Sequence, residues 1–154
     1  MSEKKVGVIG AGAWGTAFAS SLARGGHDVE VWAMEQDVTD SINNEHENKR
    51  YLPEYKLDPK LKANTDIKKV AADKEFVILA SPSLYLASTV KQFVDVPNIA
   101  DGSTVIGALT KGFVPAEDRP HFVLETIESA LPESYAHSTV YIAGPSHAEE
   151  VALG

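Results

Sequence analysis

Short apolar runs alternate with segments of helical spacing along the whole chain. Residues 4–9 are apolar on both faces, as a strand buried inside a parallel sheet must be. Residues 14–24 read as a helix, stopped by Gly25 and Gly26 because glycine readily follows a helix end. Residues 27–32 form a second strand, with His27 at a surface turn. Residues 35–45 form a second helix, whose early acids Glu35 and Asp37 suit its positive end. Residues 48–60 are rich in Lys, Pro and Asp and predict a long loop, of the kind that is functional or mobile. Lys49, Arg50, Lys56 and Lys60 there, with Lys62 just beyond, read most simply as a solvated basic face. Residues 61–64 predict a short strand, 66–72 a short helix and 75–80 a strongly apolar strand. Ser81-Pro82-Ser83 opens a helix over 84–94, with Pro82 near its first position. A loop over 97–102, a strand over 103–108, a helix over 121–131, a loop over 132–138 and a last strand over 139–143 follow. Ser146 reads as the N-cap of a final helix, with Glu149 completing a capping box.

This alternation predicts an α/β domain with a mainly parallel sheet, right-handed crossovers and helices on both faces. Its first strand runs into Gly10, Gly12 and Gly15, spaced G-x-G-x-x-G, and a helix follows. That order is the context in which such a turn binds a dinucleotide. Gly10 allows the tight turn, Gly12 the close approach of a pyrophosphate, and Gly15 the packing of helix on strand. The first helical turn then aims N–H groups at the phosphates. Glu35 follows the second strand about twenty residues after Gly15, as expected of the acid that meets the ribose. Without a ligand, the same glycines make an ordinary strand-to-helix turn. The fold expected is Rossmann-like and doubly wound. Three strand ends converge on one edge of its sheet, carrying the glycine loop, Lys111-Gly112 and Gly144-Pro145-Ser146.

With 154 residues, 44% hydrophobic and 23% charged, the chain suffices for one domain with an ordinary core. A net charge of −8 argues against nucleic acid or an anionic membrane as the main partner. An anionic cofactor must then be held by local donors, which a glycine loop supplies. The absence of cysteine excludes disulfides, a thiol nucleophile and a zinc–thiolate site, and agrees with a cytoplasmic protein. No apolar run reaches the length of a membrane span, so no membrane insertion is expected. The charged first residues lead straight into a strand rather than forming a signal peptide. Residues 151–154 stop inside what reads as a helix, which predicts a piece of a longer protein.

No spacing of His, Asp and Glu suggests a metal site, and no Ser-His-Asp arrangement stands out. Ser146 and His147 are adjacent on a helix and do not face each other, nor do Glu149 and Glu150. Lys111 is the candidate for charge chemistry, the alternative being a plain turn lysine. An ammonium at the carboxy end of a parallel strand can hold a phosphate or polarise a carbonyl that receives hydride. Ser146 and the N–H groups after Gly144 are placed to bond the same substrate at a helix N-terminus.

Four segments carry a family resemblance. Residues 10–17, Gly-Ala-Gly-Ala-Trp-Gly-Thr-Ala, are similar to the opening G-x-G-(S/N)-(W/Y)-G-(T/S)-A of NAD(P)-dependent sn-glycerol-3-phosphate dehydrogenases. Asn48-Lys49-Arg50-Tyr51-Leu52-Pro53 resembles that family's N-x-(R/K)-Y-L-P loop, and Leu109-Thr110-Lys111-Gly112 its T-K-G strand end. Residues 144–151 resemble its G-P-(S/T)-x-A-x-E-(V/I) segment. The resemblance spans nearly the whole chain. It implies hydride transfer between NAD(P)H and dihydroxyacetone phosphate, giving sn-glycerol 3-phosphate for phospholipid synthesis. It implies that Gly10, Gly12, Ala13, Trp14 and Gly15 hold the cofactor pyrophosphate, with Met34 and Glu35 at the adenosine end and Tyr85 packed on the cofactor. By the same resemblance Lys111 touches substrate and cofactor, Gly144 and Ser146 touch substrate, and Ala148 touches the cofactor. Ala13 departs from the usual Ser or Asn and removes one phosphate bond. Met34 removes a cation for the 2′-phosphate of NADP. With Glu35 adjacent, the choice between NAD and NADP leans to NAD, although Lys49 or Arg50 could supply that charge.

The family's second, helical domain carries an acid/base lysine and an Arg-Asn pair that this chain lacks. The resemblance therefore implies a cofactor-binding half that does not turn over alone, a homodimer in full length, and a face around 148–154 left exposed. The residues leave open another phospho-sugar or hydroxyacid dehydrogenase of the same fold. They also leave open a dinucleotide-binding regulatory module, although a pure sensor has no need of Lys111.

Overall fold

The computed structural model describes residues 2–117, 119–144 and 147–154. The chain begins β1 (Lys5–Ile9), α1 (Ala13–Arg24), β2 (Asp28–Trp32) and α2 (Gln36–Glu45). β3 (Glu47–Asn48) and β4 (Leu52–Lys56) then pair antiparallel as a hairpin, where composition predicted a loop. Burial of Leu52 and Leu57 holds this polar segment against the body. β5 (Lys62–Asn64) follows, then α3 (Ile67–Ala71), capped by the Asp66 carboxylate on the N–H groups of Lys68 and Lys69.

After β6 (Phe76–Leu79) the expected long helix is broken. A 3-10 turn (Ser83–Tyr85) precedes a short α4 (Leu86–Val90). The loop expected next contains α5 (Pro97–Ala100), started by Pro97 at its first position. β7 (Val105–Ala108) leads to a second hairpin of β8 (Phe113–Val114) and β9 (His121–Phe122). α6 (Val123–Ala130) starts later than the expected residue 121. The Glu125 carboxylate accepts from the Phe122 N–H at 3.3 Å and fixes the entry there. β10 (Val140–Tyr141) and α7 (Ala148–Leu153) complete the elements.

Six strands form one parallel sheet in the order β10-β7-β6-β1-β2-β5. The chain steps out from β1 through β2 to β5, crosses back to β6, and steps out through β7 to β10. Its direction reverses between β1 and β6, which is where doubly wound sheets bind ligands. On one face Val6, Val8, Val29 and Val31 meet Ala17, Ala23 and Ile42. On the other, Val77, Leu79 and Ile106 meet Leu86, Val90, Phe93 and Ile127.

The last helix is packed against the core, which corrects the expectation of an exposed face around 148–154. Ala152 is buried, and Ala148 and Val151 pack on the core beside α1, a stripe at helical spacing. Arg24 donates to the Ala152 carbonyl at 2.9 Å. Exposure holds only for Glu149, Glu150, Leu153 and Gly154. His147 occupies the N-cap position without a capping bond. The expected Ser146 cap falls outside the described residues. Among the described residues no helix is long and apolar enough to cross a membrane.

Candidate functional site

Between β1 and β6 three glycines occupy positions with three different demands. Gly10 has φ +124°, and a Cβ there would stand 2.9 Å from the Ala80 carbonyl carbon and the Ser81 nitrogen. At Gly15 a Cβ would come within 2.0 Å of the Gly10 oxygen, so only bare backbone lets α1 cross β1 this closely. Gly12 is different. It is extended, with φ −65° and ψ 177°, and a Cβ there would meet nothing within 4 Å. Among the described residues no neighbour asks for glycine at this position. Gly12 is also the N-cap of α1 and, having no side chain, makes no capping bond there. The first-turn N–H groups and the positive helix end therefore face the open space.

The loop is held from behind by residues to which sequence reasoning gave no role. Asn48, on β3, is fully buried. Its Nδ2 donates to the Ala11 carbonyl and to Thr16 Oγ1, both at 2.8 Å. Thr16 Oγ1 itself donates to the Ala11 carbonyl at 3.1 Å, and Asn48 Oδ1 accepts from the Tyr51 N–H at 3.1 Å. The Tyr51 hydroxyl donates in turn to Glu35 Oε1 at 2.7 Å. The Glu35 carboxylate beside it pushes the Tyr51 hydroxyl above the ordinary tyrosine range. The loop motif around these residues was visible in the sequence, but its long-range partners were not. The basic residues of this segment are largely paired: Lys49 with Glu45, Arg50 with Asp37 at 3.7 Å, and Lys56 with Glu47 at 2.5 Å.

Lys111 follows β7 and is exposed, with Nζ 5.3 Å from the centroid of the Trp14 ring. A cation over an indole face is attractive, so this contact joins the second half of the sheet to the glycine loop. Trp14 is half-buried and stands edge-on to Phe18, with centroids 6.4 Å apart. Bonds between strand ends set the backbone that leads into Lys111. Thr110 Oγ1 donates to the Ser81 carbonyl at 2.8 Å, and the Tyr141 hydroxyl to the Thr110 carbonyl at 3.1 Å. Ser81 Oγ is buried without a hydrogen-bond partner among the described residues. Beside Lys111, a pocket of about 420 Å³ is lined by Gly112, Phe113, Phe122 and Tyr141.

Met34 and Tyr85 follow β2 and β6, the strands flanking β1, and are 73% and 58% exposed. Apolar side chains held out to solvent on both sides of a glycine loop suit the flat rings of a nucleotide. Glu35 is half-buried between Met34 and α2. Gly144 is exposed beyond β10, and Ala148 is half-buried at the start of α7. Ser146 lies outside the described residues. The structure thus gathers Gly10, Gly12, Ala13, Trp14, Gly15 and Lys111, and sets Met34, Glu35 and Tyr85 at the neighbouring strand ends.

These residues fit a dinucleotide on three counts: an open cradle, helix N–H groups facing it, and an acid at the end of β2. A doubly wound parallel sheet with such a loop at its switch point defines a dinucleotide-binding domain of the Rossmann type. More narrowly, residues 5–154 match the family described as NAD-dependent glycerol-3-phosphate dehydrogenase N-terminus, and the chain belongs to that family. The glycerol-3-phosphate dehydrogenase (NAD(P)+) of Treponema denticola is 47% identical over 156 residues, covering 97% of this chain and 44% of that protein. Among solved structures, glycerol-3-phosphate dehydrogenase from Coxiella burnetii is similar with a TM-score of 0.78 at 31% identity, over 98% of this chain and 44% of that one. The enzyme from Saccharomyces cerevisiae is similar with a TM-score of 0.82 at 26% identity, over 99% and 45%. The chain spans less than half the length of the curated relatives it matches.

Proposed function

We propose that this chain is the dinucleotide-binding half of an NAD(P)-dependent glycerol-3-phosphate dehydrogenase. The observation that carries this reading is the cradle at Gly12, where no neighbour among the described residues requires glycine and where α1 begins without a side-chain cap from its N-cap residue. The backbone of Gly10, Gly12, Ala13, Trp14 and Gly15 holds the pyrophosphate. Glu35 takes ribose hydroxyls, Met34 lies against the adenosine, and Tyr85 and Ala148 pack on the cofactor. With an acid at 35 and no cation at 34, NAD is favoured over NADP. When bound, the nicotinamide supplies or accepts the hydride that interconverts dihydroxyacetone phosphate and sn-glycerol 3-phosphate.

Lys111 meets the substrate phosphate or the developing alkoxide as a compact positive charge. The Trp14 ring keeps that charge at the cofactor edge. Gly144 and Ser146 bond the same substrate. The acid/base group belongs to a further domain, so the chain by itself binds cofactor without turnover, and the protein works in the cytoplasm.

Titration with NADH and, separately, NADPH tests this reading through the fluorescence of Trp14 and Trp32. Trp14 stands in the loop, and Trp32 ends β2 with its indole N–H donating to the Thr65 carbonyl at 3.0 Å. Saturable quenching is expected with both, at lower concentration for NADH. No response to either overturns the reading.

A further inference from the structure

The β3–β4 hairpin reaches both ends of the proposed cofactor site. Through Asn48 it grips the backbone of the glycine loop. Through Tyr51 it grips the acid at the end of β2, with the phenol oxygen 2.7 Å from Glu35 Oε1. A phenol donating to a carboxylate makes a charge-assisted bond, stronger than one between neutral groups. The tyrosine is itself braced. Its N–H donates to the fully buried Asn48 at 3.1 Å, and the Arg50 guanidinium lies 5.4 Å from its ring centroid. Arg50 in turn lies 3.7 Å from Asp37.

A half-buried glutamate at the mouth of a site has several rotamers, and ordering it on ligand arrival costs affinity. A carboxylate ordered beforehand avoids that cost. Fixed in one place, it accepts a ribose 2′-hydroxyl and repels a 2′-phosphate at the same point, so one contact both attracts one cofactor and rejects the other. Without its tether the carboxylate can swing away, and Arg50, borne by the same hairpin, is a cation able to meet a phosphate.

We propose that Tyr51 is a positioning residue for Glu35 and, through it, a determinant of the choice between NADH and NADPH. This rests on the reading of the chain as a dinucleotide-binding domain. The hydroxyl holds the carboxylate; the ring serves only to carry it. Tyr51→Phe therefore removes the function while keeping the ring and its contact with Arg50.

Isothermal titration of this chain with NADH and with NADPH tests the proposal in four forms: unaltered, Tyr51→Phe, Glu35→Ala, and both together. Tyr51→Phe is expected to weaken NADH binding about threefold to tenfold while NADPH binding holds or tightens, the scale of one ordinary hydrogen bond, since the lost bond acts only through the placing of the carboxylate. On the Glu35→Ala background the same change is expected to leave the ratio of the two affinities where it was, because no carboxylate remains to be placed. A parallel loss for both cofactors would mean that Tyr51 supports the fold alone, and would overturn the proposal. So would an unmoved ratio, or an undiminished effect on the Glu35→Ala background. Failure of the unaltered chain to bind either cofactor would instead overturn the dinucleotide reading, and the role of Tyr51 with it.

Discussion

Around the junction of β1 and α1, a buried asparagine, a threonine hydroxyl and two sterically obligatory glycines fix the backbone. Beyond β7 and β10, by contrast, Lys111, Phe113, Phe122, Tyr141 and Gly144 are exposed, and the bonds of Thr110 to Ser81 and of Tyr141 to Thr110 link the strand ends. The chemistry proposed for each end accounts for the difference. Backbone N–H groups bind phosphate more tightly when the loop has its final shape before the ligand arrives, because no ordering cost remains. An ammonium on a flexible stem finds its anion without such preparation. One end of the site is therefore prebuilt by this chain, while the other presents its groups from an open surface.

The contrast is broken most sharply inside the loop itself. Gly15→Ala would force a Cβ to 2.0 Å from the Gly10 oxygen, and is expected to cost about 3 kcal/mol or more of stability in urea unfolding. Gly12→Ala meets nothing within 4 Å. It is expected to change stability by less than about 1 kcal/mol yet to weaken NADH binding about tenfold or more. Equal losses of stability at the two positions would erase the distinction between a packing glycine and a ligand glycine.

A smaller effect compares the two ends directly. Asn48→Ala strips buried groups of their partner and is expected to cost about 2 kcal/mol. Tyr141→Phe removes one bond at an exposed strand end and is expected to cost about 0.5–1 kcal/mol. If unfolding measurements gave the reverse order, the prebuilt end would not be the better-held one.

The smallest effect is one of pH. Glu128 on α6 accepts from Thr139 Oγ1 at 2.5 Å and from the N–H groups of His137 and Thr139, which ties down the approach to β10. The Thr139 hydroxyl first, then those N–H groups, hold its carboxyl below the ordinary glutamate range. As pH falls, the unfolded chain takes up this proton before the folded one. The stabilisation is therefore whole at neutral pH and is lost on acidification through the folded value. The network of Asn48, Thr16 and Ala11 contains no titrating group. Hydrogen exchange should accordingly show the Ile142 amide, bonded to the Ala108 carbonyl at 2.8 Å, losing protection in acid before the Thr16 amide, bonded to Gly12 at 2.9 Å. Simultaneous loss would contradict this.

The alternation of strands and helices was legible because parallel strands are buried on both faces and so appear as apolar runs. The glycine spacing was legible because it is a local code. The hairpin was not, since its strands are short and polar, and Glu54 turns within it at φ 75°. α5 has four residues, too few for any periodicity, and Pro97 was its one signal. The work of Asn48 stayed hidden because its partners lie 37 and 32 residues away, and no pattern of neighbours encodes a contact of that range. The docking of α7 was within reach. Ala148, Val151 and Ala152 mark one helical face, a spacing that the sequence displays.

β1 lies in the middle of the sheet, yet it precedes the other five strands in the chain. Its two edges are claimed at different moments of synthesis. β2, ending at Trp32, can close one edge early, while the other waits for β6, which ends at Leu79. At ordinary elongation rates that interval lasts several seconds, far longer than the formation of local structure. An apolar strand with an unpaired edge is a template for wrong partners throughout that time. The hazard ends when Val77 and Ile78 come alongside Gly7 and Val8.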